Sequence, residues 1–117
     1  MKNIKRKKAQ RAYKAYSEAC RGINIKENEK ILLESKSYWS YNFTKYVPGA
    51  DIKAHEQVIL GFKDKNYSLW FAKDIPGANI EEHFKIIYNS GDKEYLEYFI
   101  QEVNYKGTKV EEWLLYV

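Results

Sequence analysis

The residues of this 117-residue chain that are best suited to bind a metal or to take part in catalysis are its two histidines, His55 and His83. His55-Glu56 begins like the zinc-protease pattern His-Glu-x-x-His, but the position that requires the second histidine is Ile59. A metal shared by His55 and His83 would require at least a third ligand, and none is evident. We therefore predict no metal and no cofactor, and we interpret both histidines as packed side chains.

Other catalytic arrangements are equally poorly supported. Neither histidine has a serine at a spacing that supports a Ser-His-Asp arrangement. Cys20 is the single cysteine, which rules out an intramolecular disulfide and favours a reducing, cytoplasmic setting. The glycines stand singly and form no phosphate loop. We predict that the protein is not an enzyme, and an enzyme built on His55 and His83 is the least favoured alternative.

A short pattern, Gly-x-x-[Ile/Val], occurs four times along the chain. Its glycines lie 27, 28 and 30 residues apart. The two clearest copies, residues 43–59 and 71–87, share Phe, Pro, Gly, Ala, Ile and His at a shift of 28. Recurrence at this period predicts a stacked repeat protein. The four glycines are Gly22, Gly49, Gly77 and Gly107.

Each repeat is predicted to contain two short helices. Pro76-Gly77 ends the first helix of one repeat, because proline cannot continue the hydrogen-bond ladder and glycine tolerates the backbone reversal. Asn79 then caps the second helix, and Glu82 completes a capping-box pattern. The predicted apolar face of the first helix is Tyr67, Trp70, Phe71 and Ile75.

The same interpretation extends to the other repeats and predicts an all-α fold. The chain is expected to form one domain of about four stacked αα-hairpins, a small helical solenoid or bundle, with repeats at 4–36, 37–64, 65–92 and 93–117. Residues 108–117 are also rich in strand formers, so a strand is the alternative there. The second helices are expected to bury Ile80, Phe84 and Ile87, or Ile52, Ile59 and Phe62. The predicted caps are Asn24, Asp51, Asp64, Asn79, Asp92 and Thr108.

Residues 38–100 resemble short helical repeats of bacterial and phage proteins, whose consensus runs roughly Tyr-x-Tyr-x-Phe-Ala-x-x-Val-x-Gly-Ala-Asn-Ile-x-x-Leu-Glu. His55 and His83 stand where the consensus has leucine. The resemblance implies a helical repeat fold, no catalytic residues and a mobile-element setting. It is carried by Leu69, Phe71, Ala72, Ile75, Gly77, Ala78, Asn79 and Ile80, and by Tyr41, Phe43, Val47, Gly49, Ala50, Asp51, Ile52 and Glu56.

The N-terminal segment is strongly basic. Seven Lys and Arg residues precede the first acid, Glu18, whereas four lysines face eight acids from Ile75 onward. A helix here could present its cations to a phosphate backbone or to an acidic protein groove, or it could simply be the polar end of the stack. Its predicted apolar stripe is Ala9, Ala12, Tyr13, Tyr16, Ala19 and Cys20, and its predicted binding cations are Lys7, Arg11, Lys14 and Arg21.

Aromatic residues make up 16% of the chain, and such side chains are enriched at recognition surfaces. Four are predicted to face outward and contact a partner: Trp39, Trp70, Tyr98 and Tyr105. The apolar run at 113–117 predicts self-association, and hence a homodimer, through Trp113, Leu115 and Tyr116. The alternative is that this run fills the last layer of the stack.

These observations favour a non-enzymatic protein-binding module that acts as a stoichiometric inhibitor or adaptor. No segment approaches the ~20 apolar residues of a membrane span, so we expect no membrane partner. The resemblance to phage repeats suggests an anti-defence protein, such as an inhibitor of a CRISPR nuclease or of another host protein associated with nucleic acid. The alternative is a nucleic-acid-binding protein that uses its basic N-terminal helix.

Overall fold

The computed structural model of the chain describes residues 2–104, and within this range the protein is entirely helical. The predicted all-α fold is therefore confirmed, with two helices in each of the first three predicted repeats and one in the described part of the fourth. The helices are α1 (Lys2–Cys20), α2 (Ile25–Leu33), α3 (Ser37–Tyr46), α4 (Ile52–Phe62), α5 (Lys65–Asp74), α6 (Ile80–Asn89) and α7 (Lys93–Asn104).

Proline and glycine end the first helix of the second and third repeats, as the sequence predicts. Helix α3 stops two residues before Pro48, and α5 stops two residues before Pro76. Gly49 and Gly77 follow with φ angles of 78° and 83°, in the left-handed region that side chains disfavour. The chain can therefore reverse direction and place α4 against α3 and α6 against α5 as hairpins.

The chain divides into two compact units, Met1–Phe62 and Lys63–Val117, each with a hydrophobic core of its own. In unit 1, α1 packs on α2 and α3, and α2 packs on α3 and α4, so the first two hairpins stack on one another. In unit 2, α7 packs on both helices of the α5–α6 hairpin. The unit 1 core cluster is Ala12, Ala15, Ala19, Leu32, Phe43 and Val47. The unit 2 core cluster is Leu69, Ala72, Phe84, Ile87, Leu96, Phe99 and Val103.

Helix α1 buries a narrower face than the one predicted, although Ala12 and Ala19 are buried as expected. Its buried positions are three alanines, Ala12, Ala15 and Ala19, which recur at helical spacing. Tyr13 and Cys20 were predicted on this face, but Tyr13 is 66% exposed and Cys20 is also exposed. The prediction was wrong because each residue turns a helix by about 100°, which places both side chains outside the narrow alanine stripe. Ala9, also predicted on the stripe, is exposed as well.

One further burial prediction was wrong. Phe62 is 58% exposed, since it is the last residue of α4 and lies beyond the packed turns. Trp70, which the sequence placed both on the apolar face of α5 and among the outward aromatics, is 39% exposed, and Leu69 and Ala72 beside it are buried. The remaining core predictions for the second helices are confirmed at their centres, where Ile59, Phe84 and Ile87 are buried.

Four of the predicted helix caps are confirmed. Asp51, Asp64, Asn79 and Asp92 each accept a hydrogen bond from a backbone N–H in the first turn of the following helix. Asn24 is the exception, because it takes a left-handed conformation with φ 44° and its side chain makes no capping hydrogen bond.

The predictions made for residues 105–117 lie outside the described part of the chain. They concern Tyr105 as a contact residue, the cap at Thr108, the choice between helix and strand, and self-association through the C-terminal apolar run. Within residues 2–104, no helix combines the length and apolar character needed to cross a bilayer.

Candidate partner-binding site

Helix α1 displays its cations to solvent. Lys7, Arg11 and Lys14 are exposed on α1, and Arg21, just beyond its end, is exposed as well. Helical spacing places Lys7 and Lys14 on the side of α1 away from the buried alanines, whereas Arg11 lies closer to the alanine face. Glu18 is the acid among these cations.

Trp39, at the start of α3, is the centre of an aromatic cluster beside α1. The Tyr16 ring lies 5.5 Å from the Trp39 ring, and the Tyr38 ring packs edge-on at 4.9 Å. Tyr13 reaches the same indole edge-on at 6.4 Å. Trp39 is only half-buried, so the predicted outward aromatic is held in place by its neighbours and still has an accessible part.

A groove of about 390 Å³ opens between α1, the end of α2 and the start of α3. This volume lies within the ~300–1,000 Å³ typical of ligand clefts. The apolar lining of the groove is Ala9, Ala12, Ile31 and Trp39. Its charged lining is Lys8, Arg11, Lys36 and Glu34. We use the name basic–aromatic surface for the α1 cations Lys7, Lys8, Arg11 and Lys14, this groove, and the two exposed tyrosines that pack against Trp39, Tyr13 and Tyr38.

A second constellation lies inside unit 1, where a histidine joins a serine and a carboxylate. His55 Nδ1 is 3.0 Å from Ser40 Oγ, and His55 Nε2 is 3.0 Å from Glu29 Oε2. The same Glu29 oxygen accepts a hydrogen bond from the Asp51 backbone N–H at 2.8 Å. The His55 ring stacks on Phe43 with centroids 5.0 Å apart. The network thus joins α2, α3 and the start of α4.

The hydrogen-bond chemistry assigns the tautomer of His55. A carboxylate can only accept, so Nε2 carries the proton that is donated to Glu29, and Nδ1 accepts from the Ser40 hydroxyl. Burial lowers the pKa of His55 below its ordinary value of 6.5, although the Glu29 carboxylate opposes this shift. The network is therefore satisfied by a neutral imidazole.

Ser40, His55 and Glu29 are hydrogen-bonded in the same order as the side chains of a Ser-His-Glu hydrolase triad. The sequence analysis did not predict this arrangement. Ser40 and Glu29 lie 15 and 26 residues from His55, on other helices. The one available signal was the repeat itself, since Ser40 and Ser68 share the 28-residue shift of the two histidines. Both Ser40 and His55 are 0% exposed, so a substrate carbonyl has no path to the hydroxyl. The arrangement acts as an internal hydrogen-bond network that holds helices together.

Unit 2 reproduces the aromatic part of this arrangement. His83 is also fully buried, and its ring lies 5.3 Å from that of Phe71, as His55 lies against Phe43. Ser68 Oγ is buried and has no hydrogen-bond partner among the described residues. In the part of the chain that the structure describes, no three His, Cys, Asp or Glu side chains converge to hold a metal ion.

The other predicted contact aromatics lie in unit 2. Trp70 on α5 packs edge-on against Tyr67 at 5.2 Å. Tyr98 on α7 is 42% exposed, with the Lys73 ammonium 6.0 Å from its ring centroid. Both side chains are accessible, as predicted, but each belongs to unit 2 and neither contributes to the groove of unit 1.

Unit 2 also contains a well-formed ion pair. Lys65 Nζ donates to Asp92 Oδ2 at 2.7 Å, and this contact, with the Tyr95 backbone N–H, lowers the pKa of Asp92. The Tyr95 hydroxyl donates to the side chain of Asn66. These bonds connect the start of α5 to the start of α7, so they position helices and create no accessible reactive group.

Comparisons with protein-family models, curated proteins and solved structures return no match to this chain. The resemblance to bacterial and phage repeats therefore remains a prediction from the sequence, and function has to be argued from the surface geometry.

Proposed function

We propose that this protein is a non-enzymatic binding module that acts as a stoichiometric inhibitor or adaptor, and that it contacts a partner protein through the basic–aromatic surface of unit 1. One observation supports this most strongly: the exposed cations of α1 border a groove whose wall is a half-buried tryptophan. Arg and Trp at a concave site are the residue types that dominate binding energy in protein interfaces.

The groove is also better suited to a protein than to a polyanion alone. Its lining is partly apolar, through alanines and Ile31, and Glu34 lies on the same rim as Arg11. Protein interfaces combine an apolar centre with a mixed polar rim. Binding is also favoured over catalysis because Ser40 and His55, in the Ser40–His55–Glu29 network, are buried away from any substrate.

A finer assignment rests on the phage-type repeat pattern alone. It suggests a cytoplasmic inhibitor of a host protein associated with nucleic acid, such as a CRISPR nuclease. A basic surface would be complementary to an acidic region of such a target, or to the nucleic acid that the target holds.

Nucleic-acid binding is the second candidate, favoured by the exposed cations along one side of α1 and by the exposed Tyr13 beside them. Neutralised phosphates release counterions, so such binding weakens steeply with salt. A protein complex centred on an apolar groove depends much less on salt.

The test is capture by the full-length protein from an extract of its source cells, with and without nuclease, followed by purification of the identified partner. We expect a nuclease-resistant protein complex of fixed stoichiometry in sedimentation analysis. Reversing Lys7, Arg11 and Lys14 to Glu should abolish it. The matched control reverses three exposed lysines of unit 1 outside α1, namely Lys26, Lys30 and Lys53. Release by nuclease, or equal loss in both triple variants, would contradict the proposal.

A further inference from the structure

We infer that the groove of unit 1 receives one bulky apolar side chain from an acidic segment of the partner protein, whose carboxylates lie against the cations of the rim. This inference rests on the proposed function and specifies the chemistry of the partner.

The floor of the groove is apolar and concave because α1 places small side chains there. Ala12 is 2% exposed and forms the base, while Ala9, one turn earlier, is open to solvent at the mouth. Ile31 and Trp39 form the walls. A larger residue at either alanine would fill the space, so the cavity depends on these two positions.

The tryptophan wall is fixed before any partner arrives. The centroid of the Trp39 ring lies 4.9 Å from that of Tyr38 on its own helix and 5.5 Å from that of Tyr16 on α1. Burial raises the pKa of the Tyr16 hydroxyl, helped by a hydrogen bond with Cys20, so this support remains neutral. A preformed wall loses little conformational entropy on binding, which favours an anchor side chain at this place.

The rim selects for negative charge. Lys8, Arg11 and Lys36 surround the groove, against the single acid Glu34. Within the described part of the chain, none of these three cations forms an ion pair. Three unpaired cations against one acid are complementary to an acidic segment, which would gain charge-assisted contacts as its apolar side chain is buried.

A nucleic acid fits the same groove less well. Single-stranded bases bind by stacking on aromatic faces, but the floor consists of alanine methyl groups and the Trp39 ring is already packed by tyrosines. Glu34 on the rim would repel a phosphate. The exposed rings that could stack on bases, Tyr13 and Tyr38, do not line the groove.

The test measures fluorescence anisotropy of labelled synthetic peptides with the full-length protein. The main probe is a short peptide of Glu and Ser with one central Leu. The comparison probes replace that Leu by Gly, or each Glu by Lys, and a labelled oligothymidylate represents the nucleic-acid alternative. We expect the Glu/Leu peptide to bind at least about tenfold more tightly than every comparison probe.

Two matched pairs of variants locate the site. Ala9→Glu adds an acid at the groove mouth, and Gln10→Glu adds the same charge at the next, exposed position of α1 outside the groove. Arg11→Gln removes a rim cation, and Lys26→Gln removes an exposed cation of α2 that lies outside both the groove and the basic–aromatic surface. We expect the two groove variants to weaken peptide binding about tenfold and the two controls to change it about twofold or less. Circular dichroism checks that all four remain folded.

The inference would be overturned by no binding of the Glu/Leu peptide, by equal binding of the Leu and Gly peptides, or by equal loss in the groove variants and their controls. Tighter binding of the oligothymidylate, lost in Ala9→Glu, would overturn it in favour of nucleic acid. The proposed function can fail or hold independently of this inference. A groove variant that still forms the stoichiometric protein complex would refute only the role of the groove. Absence of any protein complex refutes the function.

Discussion

His55 Nε2 lies 3.0 Å from Glu29 Oε2, which connects the second helices of the first two hairpins, α4 and α2, through a partly buried contact. The same Glu29 oxygen accepts the Asp51 N–H at the start of α4. One carboxylate therefore serves a side chain and a backbone amide of the neighbouring hairpin. Hydrogen bonds to charged groups contribute about 1.5–3 kcal/mol each, so this contact is a strong polar element in the stacking of unit 1.

Glu29→Ala should lower the free energy of unfolding by about 2–3 kcal/mol, because it leaves the Asp51 amide and the buried His55 nitrogen without their acceptor. Urea denaturation followed by circular dichroism measures the change. Glu27→Ala, an exposed site on the same helix, is the control and should cost less than about 1 kcal/mol. Equal losses at both sites would contradict the role of Glu29.

Stability should fall as the pH is lowered past the ordinary pKa of His55. Burial lowers this pKa in the folded state, so between about pH 6.5 and the lower folded value the unfolded chain binds a proton that the folded chain does not. The groups facing the ring are Glu29 on α2, Ser40 and Phe43 on α3, and Asp51 at the start of α4. Burial outweighs the opposing carboxylates, so the pKa of His55 is lowered on folding.

The check compares wild type with His55→Gln, which cannot titrate, by urea unfolding at about pH 7.5 and about pH 5. Wild type should lose more stability than the variant over this interval. Equal losses of stability in the two proteins, or a smaller loss in wild type, would show that folding does not lower the pKa of His55.

Gly77→Ala should destabilise the protein by about 1–2 kcal/mol, because residue 77 adopts φ 83° and an L side chain is strained there. No atom lies within 4 Å of the added methyl group, so the cost arises from the backbone alone. Gly61→Ala is the control: its site within α4 is equally open and has no left-handed φ angle, so alanine should stabilise it by about 0.5–1 kcal/mol. Thermal unfolding of both variants measures the contrast, and shifts of the same sign would contradict it.

Trp70→Ala tests whether unit 2 also contacts the partner. Trp70 is an accessible tryptophan packed edge-on against Tyr67, so its removal should leave the fold intact. If Trp70 is an interface anchor, the complex should weaken by about 2 kcal/mol or more in isothermal titration calorimetry. Unchanged affinity would confine the contact to unit 1, and a matching loss of helical signal would make Trp70 a packing residue.

The repeat spacing predicted most of the helices because each repeat contains the residues that start and end its helices. The Pro-Gly pair ends a helix at both Gly49 and Gly77, and Asp64 and Asn79 cap the helices that follow. Such signals act over three or four residues and are read directly from the sequence. They failed at Asn24, where the backbone is left-handed and the side chain makes no capping hydrogen bond.

The candidate sites were less predictable because they depend on packing between helices. The exposed cations of α1 followed from spacing, but the groove required the position of Trp39 relative to Ala9 and Ala12. The Ser40–His55 bond likewise joins residues on different helices. The face of α1 was likewise predicted too wide: Tyr13 lies about 100° from the buried Ala12 around the helix axis, and it is exposed.

The central claim is that the basic–aromatic surface of unit 1 is the binding face, and chemical-shift mapping tests it most directly. Isotope-labelled full-length protein would be titrated with the purified partner, or with the Glu/Leu peptide. The account predicts the largest amide shifts at the groove, around Ala9, Ala12 and Ile31, with a shift of the Trp39 indole N–H. Shifts confined to α5–α7, or none at the groove while the complex forms, would contradict it.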